Sequence, residues 1–198
     1  MDTGLLNDGV RLVHLLGLAL GFGVALLADG SAARAVLRPL QEREVEMLRI
    51  LHHVVTFGLV LLWASGVMLL WLRTGFDLER FSPKLWTKVC VVSVLTLNAI
   101  AIGRMGLPTL MRFQSWRFGD IPILERIQLC ALGTLSAACW GLALALGVFG
   151  YFKTLNADQL THILALTFLC ALAMALVAAT LTPVIAAVVR FLERRSAA

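Results

Sequence analysis

The chain has 198 residues, of which 60% are hydrophobic and only 15% charged, and its mean hydropathy is +0.88. A soluble domain of this length does not need so much apolar side chain, so the composition predicts a polytopic membrane protein and excludes an ordinary soluble enzyme. The formal net charge of +5 does not indicate nucleic-acid binding, because the arginines flank apolar segments and form no patch with interleaved aromatic residues.

Five apolar stretches are each long enough to cross a bilayer, whose hydrocarbon core of about 30 Å needs roughly 20 helical residues. They run approximately over residues 10–28, 48–72, 83–103, 123–150 and 159–189. Ser82 before Pro83 is typical of a helix N-cap, and Asn156 with Gln159 fits a capping box, so both pairs predict helix starts. We therefore expect an all-α fold in which residues 1–198 form a single bundle of five transmembrane helices. The start of the sequence lacks the basic region and cleavage site of a signal peptide, so we expect the first helix to be retained.

The distribution of lysine and arginine predicts the orientation of the bundle, since excess positive charge stays on the cytoplasmic side. One end collects Arg34, Arg38, Arg43, Arg49, Arg104, Arg112, Arg117, Arg126, Arg190, Arg194 and Arg195, and the other has Arg11, Arg73, Arg80, Lys84, Lys88 and Lys153. This division favours an outer N-terminus and a cytoplasmic C-terminus, with membrane lipids, above all anionic head groups, as partners. The segment 107–118 mixes apolar residues with arginines and is expected to lie along the cytoplasmic interface.

Small residues predict where the helices pack closely against one another. Gly17 and Gly21 form a G-x-x-x-G pair in the first helix. Two longer rows of small residues are Gly133, Ala137, Gly141 and Ala145 in the fourth helix and Ala171, Ala175 and Ala179 in the fifth. We expect all of them to serve packing within the bundle. The cysteines contain no C-x-x-C pair and are expected to be small buried side chains.

His14, Lys88 and His162 form the first candidate site, because ionisable side chains are costly within a membrane. They lie a few residues inside the first, third and fifth segments, and the alternating direction of the helices places them at the outer end of the bundle. Imidazole is a common ligand of haem iron and also suits copper or zinc, which makes His14 and His162 candidate metal ligands. The alternative is that the histidines only make interhelical or head-group hydrogen bonds and that Lys88, like Lys84, extends to the surface.

A second candidate cluster lies at the opposite, cytoplasmic end and consists of Asp29, His52, His53 and Asn98. Neighbouring residues of a helix point about 100° apart, so at most one of the two histidines is expected to face the bundle. Contact with lipid head groups is the alternative role for both of them. This cluster is about 20 Å in depth from His14, so the two clusters cannot share a ligand.

Three segments resemble small bacterial inner-membrane proteins of two families. The segments are RLVHLLGLALGFG (11–23), FGLVLLWASGVMLL (57–70) and SPKLWTKVCVVSVLTLNAI (82–100). The families are the membrane-bound, oxygen-independent protoporphyrinogen oxidases and the copper-resistance D-type membrane domains. The first family pairs a histidine near the start of helix one with a lysine in a K-L-x-x-V-like third helix and is associated with haem b, and His14 and Lys88 occupy the matching motifs. The arginine-rich segment 34–49 departs from the aromatic-rich turn of that family.

The resemblance implies a haem b-binding redox protein of the bacterial inner membrane. In that reading His14 is the favoured iron ligand, His162 is a second ligand, and Lys88 holds a haem propionate or an anionic substrate at the outer mouth. Two other classes stay open. One is a copper-type transport or metal-handling module in which the histidines and Met68, Met105 or Met111 pass a soft ion. The other is a cofactor-free accessory subunit that binds another membrane protein or a second copy of this chain.

Overall fold

The computed structural model describes residues 3–196, and the regular secondary structure of these residues is helical. The five long helices are α1 (Thr3–Ala33), α2 (Glu42–Thr74), α3 (Pro83–Arg112), α4 (Ile123–Val148) and α5 (Ala157–Ser196). Each is long and apolar enough to cross a membrane. The prediction of an all-α, five-helix membrane protein is therefore confirmed.

The predicted helix starts are formed by the expected side chains. The Ser82 hydroxyl accepts a hydrogen bond from the backbone N–H of Leu85 at 3.3 Å. The Asn156 side chain accepts from the N–H of Gln159 at 2.8 Å, and the Gln159 side chain accepts from the N–H of Asn156 at 3.0 Å. These bonds satisfy N–H groups that a helix terminus leaves without partners.

The helices α1 and α2 form an antiparallel pair with the most extensive contact between any two helices of the described chain. A Cβ added to Gly58 of α2 would lie 2.8 Å from the backbone nitrogen of Gly21 and 3.1 Å from the carbonyl oxygen of Gly17. The other face of Gly21 is covered by Trp140 of α4, whose side chain is fully buried. The predicted packing role of Gly17 and Gly21 is confirmed.

The other half of the bundle is built from α3, α4 and α5. α4 and α5 pack as a second antiparallel pair, and α3 makes its most extensive contact with α4. Ala171, Ala175 and Ala179 are buried in this half, as predicted. α1 contacts α4 as well as α2, and this contact joins the two halves.

The row of small residues on α4 does not pack within the bundle, and this prediction was wrong. A Cβ added to Gly133 or Gly141 would meet no atom within 4 Å, and Ala137 is exposed. The buried face of α4 instead carries larger side chains, among them Trp140 and Leu146. Small side chains permit a close approach, but the neighbouring helices decide whether it occurs.

Two of the four cysteines also differ from their predicted burial. Cys139 is buried and Cys130 is half-buried, whereas Cys90 and Cys170 are exposed on α3 and α5. A thiol is apolar enough to face lipid, so an apolar helix does not determine which of its cysteines points inward.

The two ends of the bundle carry different connections. We call the end with the start of α1 and the connections 75–82 and 149–156 the lysine end. The end with the connections 34–41 and 113–122 and the last turns of α5 is the arginine end. α3 reaches the arginine end through a π-helical turn, Ile102–Gly106, and continues to Arg112.

The continuation of α3 changes the prediction for segment 107–118. Its first six residues belong to α3, and Leu107, Phe113 and Phe118 are buried in an apolar cluster at the arginine end. Their burial keeps these residues against the bundle, and the interfacial position of the segment stays a prediction. The buried guanidinium of Arg126 donates to the carbonyl oxygens of Gly119 at 2.7 Å and of Ile121 at 3.3 Å, which holds the rest of the connection in place.

Candidate functional site

The most defined polar contact at the lysine end joins α1 to α2. The Nδ1 atom of His14 lies 2.9 Å from the hydroxyl oxygen of Ser65, and the Ser65 hydroxyl lies 2.6 Å from the carbonyl oxygen of Leu61. A carbonyl cannot donate, so the single hydroxyl proton of Ser65 is directed to Leu61. Ser65 must then accept a hydrogen bond from His14, which places the proton of the neutral ring on Nδ1.

The consequence for His14 is that its Nε2 atom keeps a lone pair. Histidines that ligate metals usually donate their other ring N–H to a protein oxygen, which fixes both the tautomer and the orientation of the ring. The His14 ring is half-buried and lies beside Gly66, where an added Cβ would be 3.5 Å from the ring carbon Cε1. The close pairing of α1 with α2 thus produces an oriented imidazole, hydrogen-bonded also to the Leu62 backbone, whose Nε2 atom carries the lone pair.

The surroundings of His14 are positively charged. Lys88 of α3 and Arg73 of α2 lie within electrostatic range of His14, and Lys153 lies within electrostatic range of Lys88. Lys88 is half-buried, and it forms no ion pair with an acidic residue in the part of the chain that the structure describes. The acidic side chains that form ion pairs at this end bind other cations, with Asp77 at 3.1 Å from Arg80 and Asp8 at 3.7 Å from Arg11.

Lys84 makes a contact at the lysine end that was not anticipated from the sequence. Its ammonium group donates to the carbonyl oxygen of Phe149 at 3.0 Å and lies 5.9 Å from the centre of the Phe152 ring. Lys84 therefore ties the start of α3 to the connection between α4 and α5.

His162 is placed differently from His14 and Lys88. Its side chain is exposed on α5, which packs on α3 and α4, and no hydrogen bond or ring contact joins it to another described residue. The polar and charged groups around His14 come from α2 and α3. The structure thus brings Lys88 near His14 and gives no contact between His14 and His162.

An apolar groove of about 490 Å³ runs along α1 and α2 next to the contact between His14 and Ser65. We call it the lysine-end groove, and its lining is Leu5, Leu6, Gly9, Val10, Val13, Ser65 and Met68. Sequence reasoning missed Ser65 as the partner of His14. The sequence signal for this face of α2 was that Ser65 and Met68 are three residues apart on an apolar helix, which places both side chains on the same face.

The four residues predicted to cluster at the arginine end, Asp29, His52, His53 and Asn98, differ in their surroundings. His52 is half-buried against the π-helical turn of α3, where a Cβ added to Gly103 would be 2.9 Å from its Nε2 atom. His53 is exposed, and its ring centre is 6.2 Å from that of His52. One histidine of the pair therefore faces the bundle, as predicted. Asp29 is half-buried on α1 and forms no ion pair with another described residue.

Asn98 is buried and joins two helices by a hydrogen bond. Its side-chain nitrogen donates to the carbonyl oxygen of Leu132 at 3.0 Å, which links α3 to α4, while its side-chain oxygen is buried without a hydrogen-bond partner among residues 3–196. Within residues 3–196 no group of three or more histidine, cysteine, aspartate or glutamate residues could hold a metal ion. The arginine-end cluster is therefore not a multi-ligand metal centre formed by described residues.

No known protein family, curated protein or solved structure matches this chain. The resemblance to the oxidase and copper-resistance families stays a prediction that depends on the residues of the three segments. The function has to be argued from the lysine-end site itself.

Proposed function

We propose that the chain is a haem b-binding redox protein of a bacterial inner membrane, with His14 as the iron ligand. The observation that carries the proposal is the hydrogen bond from His14 Nδ1 to Ser65, which leaves the lone pair of the neutral ring on Nε2. A neutral imidazole held in this way is the usual protein ligand of b-type haem iron. The adjacent lysine-end groove has the apolar lining that a porphyrin requires.

The charges around His14 fit the rest of a haem molecule. Haem carries two propionate carboxylates, and Lys88 and Arg73 are cations without an acidic ion-pair partner in the described chain. Bound haem would supply one-electron redox chemistry. The protein residues would do the rest: Ser65 orients the imidazole, Lys88 offsets the carboxylate charge, and the walls of α1 and α2 exclude water.

Haem titration into the purified protein tests this proposal. We expect saturable quenching of tryptophan emission with one haem per chain, as confirmed by mass spectrometry of the intact complex. Met68 also lines the lysine-end groove, which makes a soft-metal site the second candidate. Binding of Cu(I) but not haem, lost in Met68→Leu, would select that class. Binding of neither, together with a stoichiometric membrane-protein partner, would indicate an accessory subunit.

Lys88→Met tests the predicted role of the lysine. Removing the ammonium group leaves a propionate without its cation in a medium of low dielectric constant, which costs on the order of 2 to 4 kcal/mol of haem binding. Lys88→Arg should recover part of this loss, because the charge is kept while the geometry changes. The measurement is the haem dissociation constant by titration.

The matched control for Lys88 is Lys153→Met, because Lys153 is an exposed cation of the same end. Lys84→Met is a poorer control, since it also removes the contact with Phe149. Equal haem affinity in Lys88→Met and Lys153→Met would contradict a role for Lys88 in binding an anion.

The proposed orientation places the lysine end outside the cytoplasm and the arginine end inside it. Excess arginine at one end is the supporting observation. We expect alkaline phosphatase fused in the connection 75–82 or 149–156 to be active, and a fluorescent protein fused after the C-terminus to be fluorescent. The reverse pattern would place His14 at the cytoplasmic face and remove the proposed outer site.

A further inference from the structure

A second groove, of about 600 Å³, lies at the arginine end between the α1–α2 connection and the last turns of α5. We call it the arginine-end groove, and its lining is Arg34, Leu37, Arg38, Val189 and Glu193. Arg34 follows directly after the last residue of α1, so the groove begins where the apolar part of that helix ends. Its lining combines charged groups with the apolar side chains of Leu37 and Val189.

The two walls of this groove are held together by Arg117. Its guanidinium donates to the carbonyl oxygen of Leu37 at 3.1 Å and to both carboxylate oxygens of Glu193, at 2.9 and 2.7 Å. Arg38 is fixed in turn by two hydrogen bonds to Glu44, at 2.9 and 2.6 Å, and this bonding raises the pKa of Arg38. The groove is therefore preformed, which lowers the entropic cost of binding a ligand.

Among the charged residues at the groove, one arginine has no acidic ion-pair partner in the described chain. Arg117 neutralises Glu193, and Arg38 neutralises Glu44. The Arg34 side chain is exposed and makes no hydrogen bond or ion pair with a residue of the described part of the chain, although it lies within electrostatic range of Glu44. The groove thus offers a guanidinium whose N–H groups donate to no described residue, and a guanidinium can bind a phosphate group through two parallel hydrogen bonds.

The apolar lining of the groove favours a phospholipid over a free phosphate ion as the ligand. Leu37 is 55% exposed beside Arg34 at the end of a membrane-spanning helix. A free phosphate ion would leave this surface in water, whereas a phospholipid would cover it with its glycerol and upper acyl chains. We propose that the arginine-end groove binds an anionic phospholipid, with the lipid phosphate on Arg34 and the start of the acyl chains on Leu37 and Val189.

Titration of the delipidated protein with phosphatidylglycerol, followed by native mass spectrometry, tests this site. We expect Arg34→Gln to weaken the tightest lipid-binding event about fivefold, which corresponds to the loss of one cationic contact with an anionic lipid. The matched control is Arg43→Gln, because Arg43 is exposed at the same end, lies outside the groove and loses the same charge. Arg43→Gln should bind the lipid as the unchanged protein does.

Three results would overturn the lipid site. The first is equal weakening by Arg34→Gln and Arg43→Gln, which would indicate only general attraction by positive charge. The second is binding of phosphatidylcholine as tight as that of phosphatidylglycerol. The third is displacement of the lipid by glycerol 3-phosphate at equal concentration, which would indicate a site for a free phosphate ester. The titration is done without haem, so its outcome is independent of the proposed function.

Discussion

Replacing His14 with alanine is expected to remove haem binding, with a loss of more than about tenfold in haem retained per chain after purification. The reason is that His14 Nε2 carries the lone pair of the oriented imidazole in the lysine-end site, and the structure gives His162 no contact with His14. The measurement is haem content by the pyridine haemochrome assay, with protein quantified separately. His162→Ala is the control and should retain its haem.

Two further variants separate ligation by His14 from a general effect on folding. His14→Gly with added imidazole should recover the haem absorption, because a free imidazole can occupy the space of the lost ring. Ser65→Ala should keep His14 but weaken haem binding by about tenfold or more, since the ring loses the oxygen that holds its Nδ1–H. Full haem content in His14→Ala, or loss of haem in His162→Ala alone, would exclude His14 as the ligand.

Replacing Gly58 with alanine is expected to cause a large loss of stability for so small a change. The new methyl group would lie 2.8 Å from the backbone nitrogen and 3.0 Å from the Cα atom of Gly21, and 3.1 Å from the carbonyl oxygen of Gly17. Backbone atoms cannot move aside as a side chain does, so α1 and α2 must separate. Overpacking of this kind costs about 1 to 3 kcal/mol of the free energy of unfolding. Unfolding by sodium dodecyl sulfate in mixed micelles, followed by circular dichroism, measures the loss.

Gly133→Ala is the matched control for Gly58→Ala, because it adds the same methyl group to another helix with nothing within 4 Å of the new carbon. Alanine favours helix over glycine, so this change should leave stability unchanged or raise it slightly. A loss in Gly133→Ala as large as that in Gly58→Ala would show that the α4 row packs against a second molecule in the micelle. No loss in Gly58→Ala would contradict the close pairing of α1 with α2.

The number of helices could be predicted from the sequence because a membrane span is a local property. Twenty or so apolar residues between polar connections suffice, and the caps at Ser82 and Asn156 lie within three residues of the N–H groups that they bind. The G-x-x-x-G pair in α1 predicted close packing at Gly17, but nothing in the sequence indicated that Gly58 of α2 would be its partner. Four of the five helices are longer than the predicted apolar segments, with polar turns extending α1 and α2 beyond them, whereas α4 ends at Val148, before the predicted residue 150.

The rotation of each helix about its own axis could not be predicted in the same way. Alternating helix direction predicts a common level for His14, Lys88 and His162, but it contains no information on which way each side chain faces. The burial of His52 rather than His53 depends on Gly103, which lies 51 residues beyond His52 in the chain. The same limit explains the outward row on α4, because the packing face of α4 depends on the positions of α1, α3 and α5.

The absorption spectrum of the purified protein, taken from the near ultraviolet to the red after expression with added haem precursor, tests the haem assignment most directly. We expect a Soret band with an intensity equivalent to one haem per chain, and sharpened visible bands on reduction with dithionite. A protein that is folded by circular dichroism, and that shows no Soret band either as purified or after reconstitution with haem, would contradict the assignment of the lysine-end site.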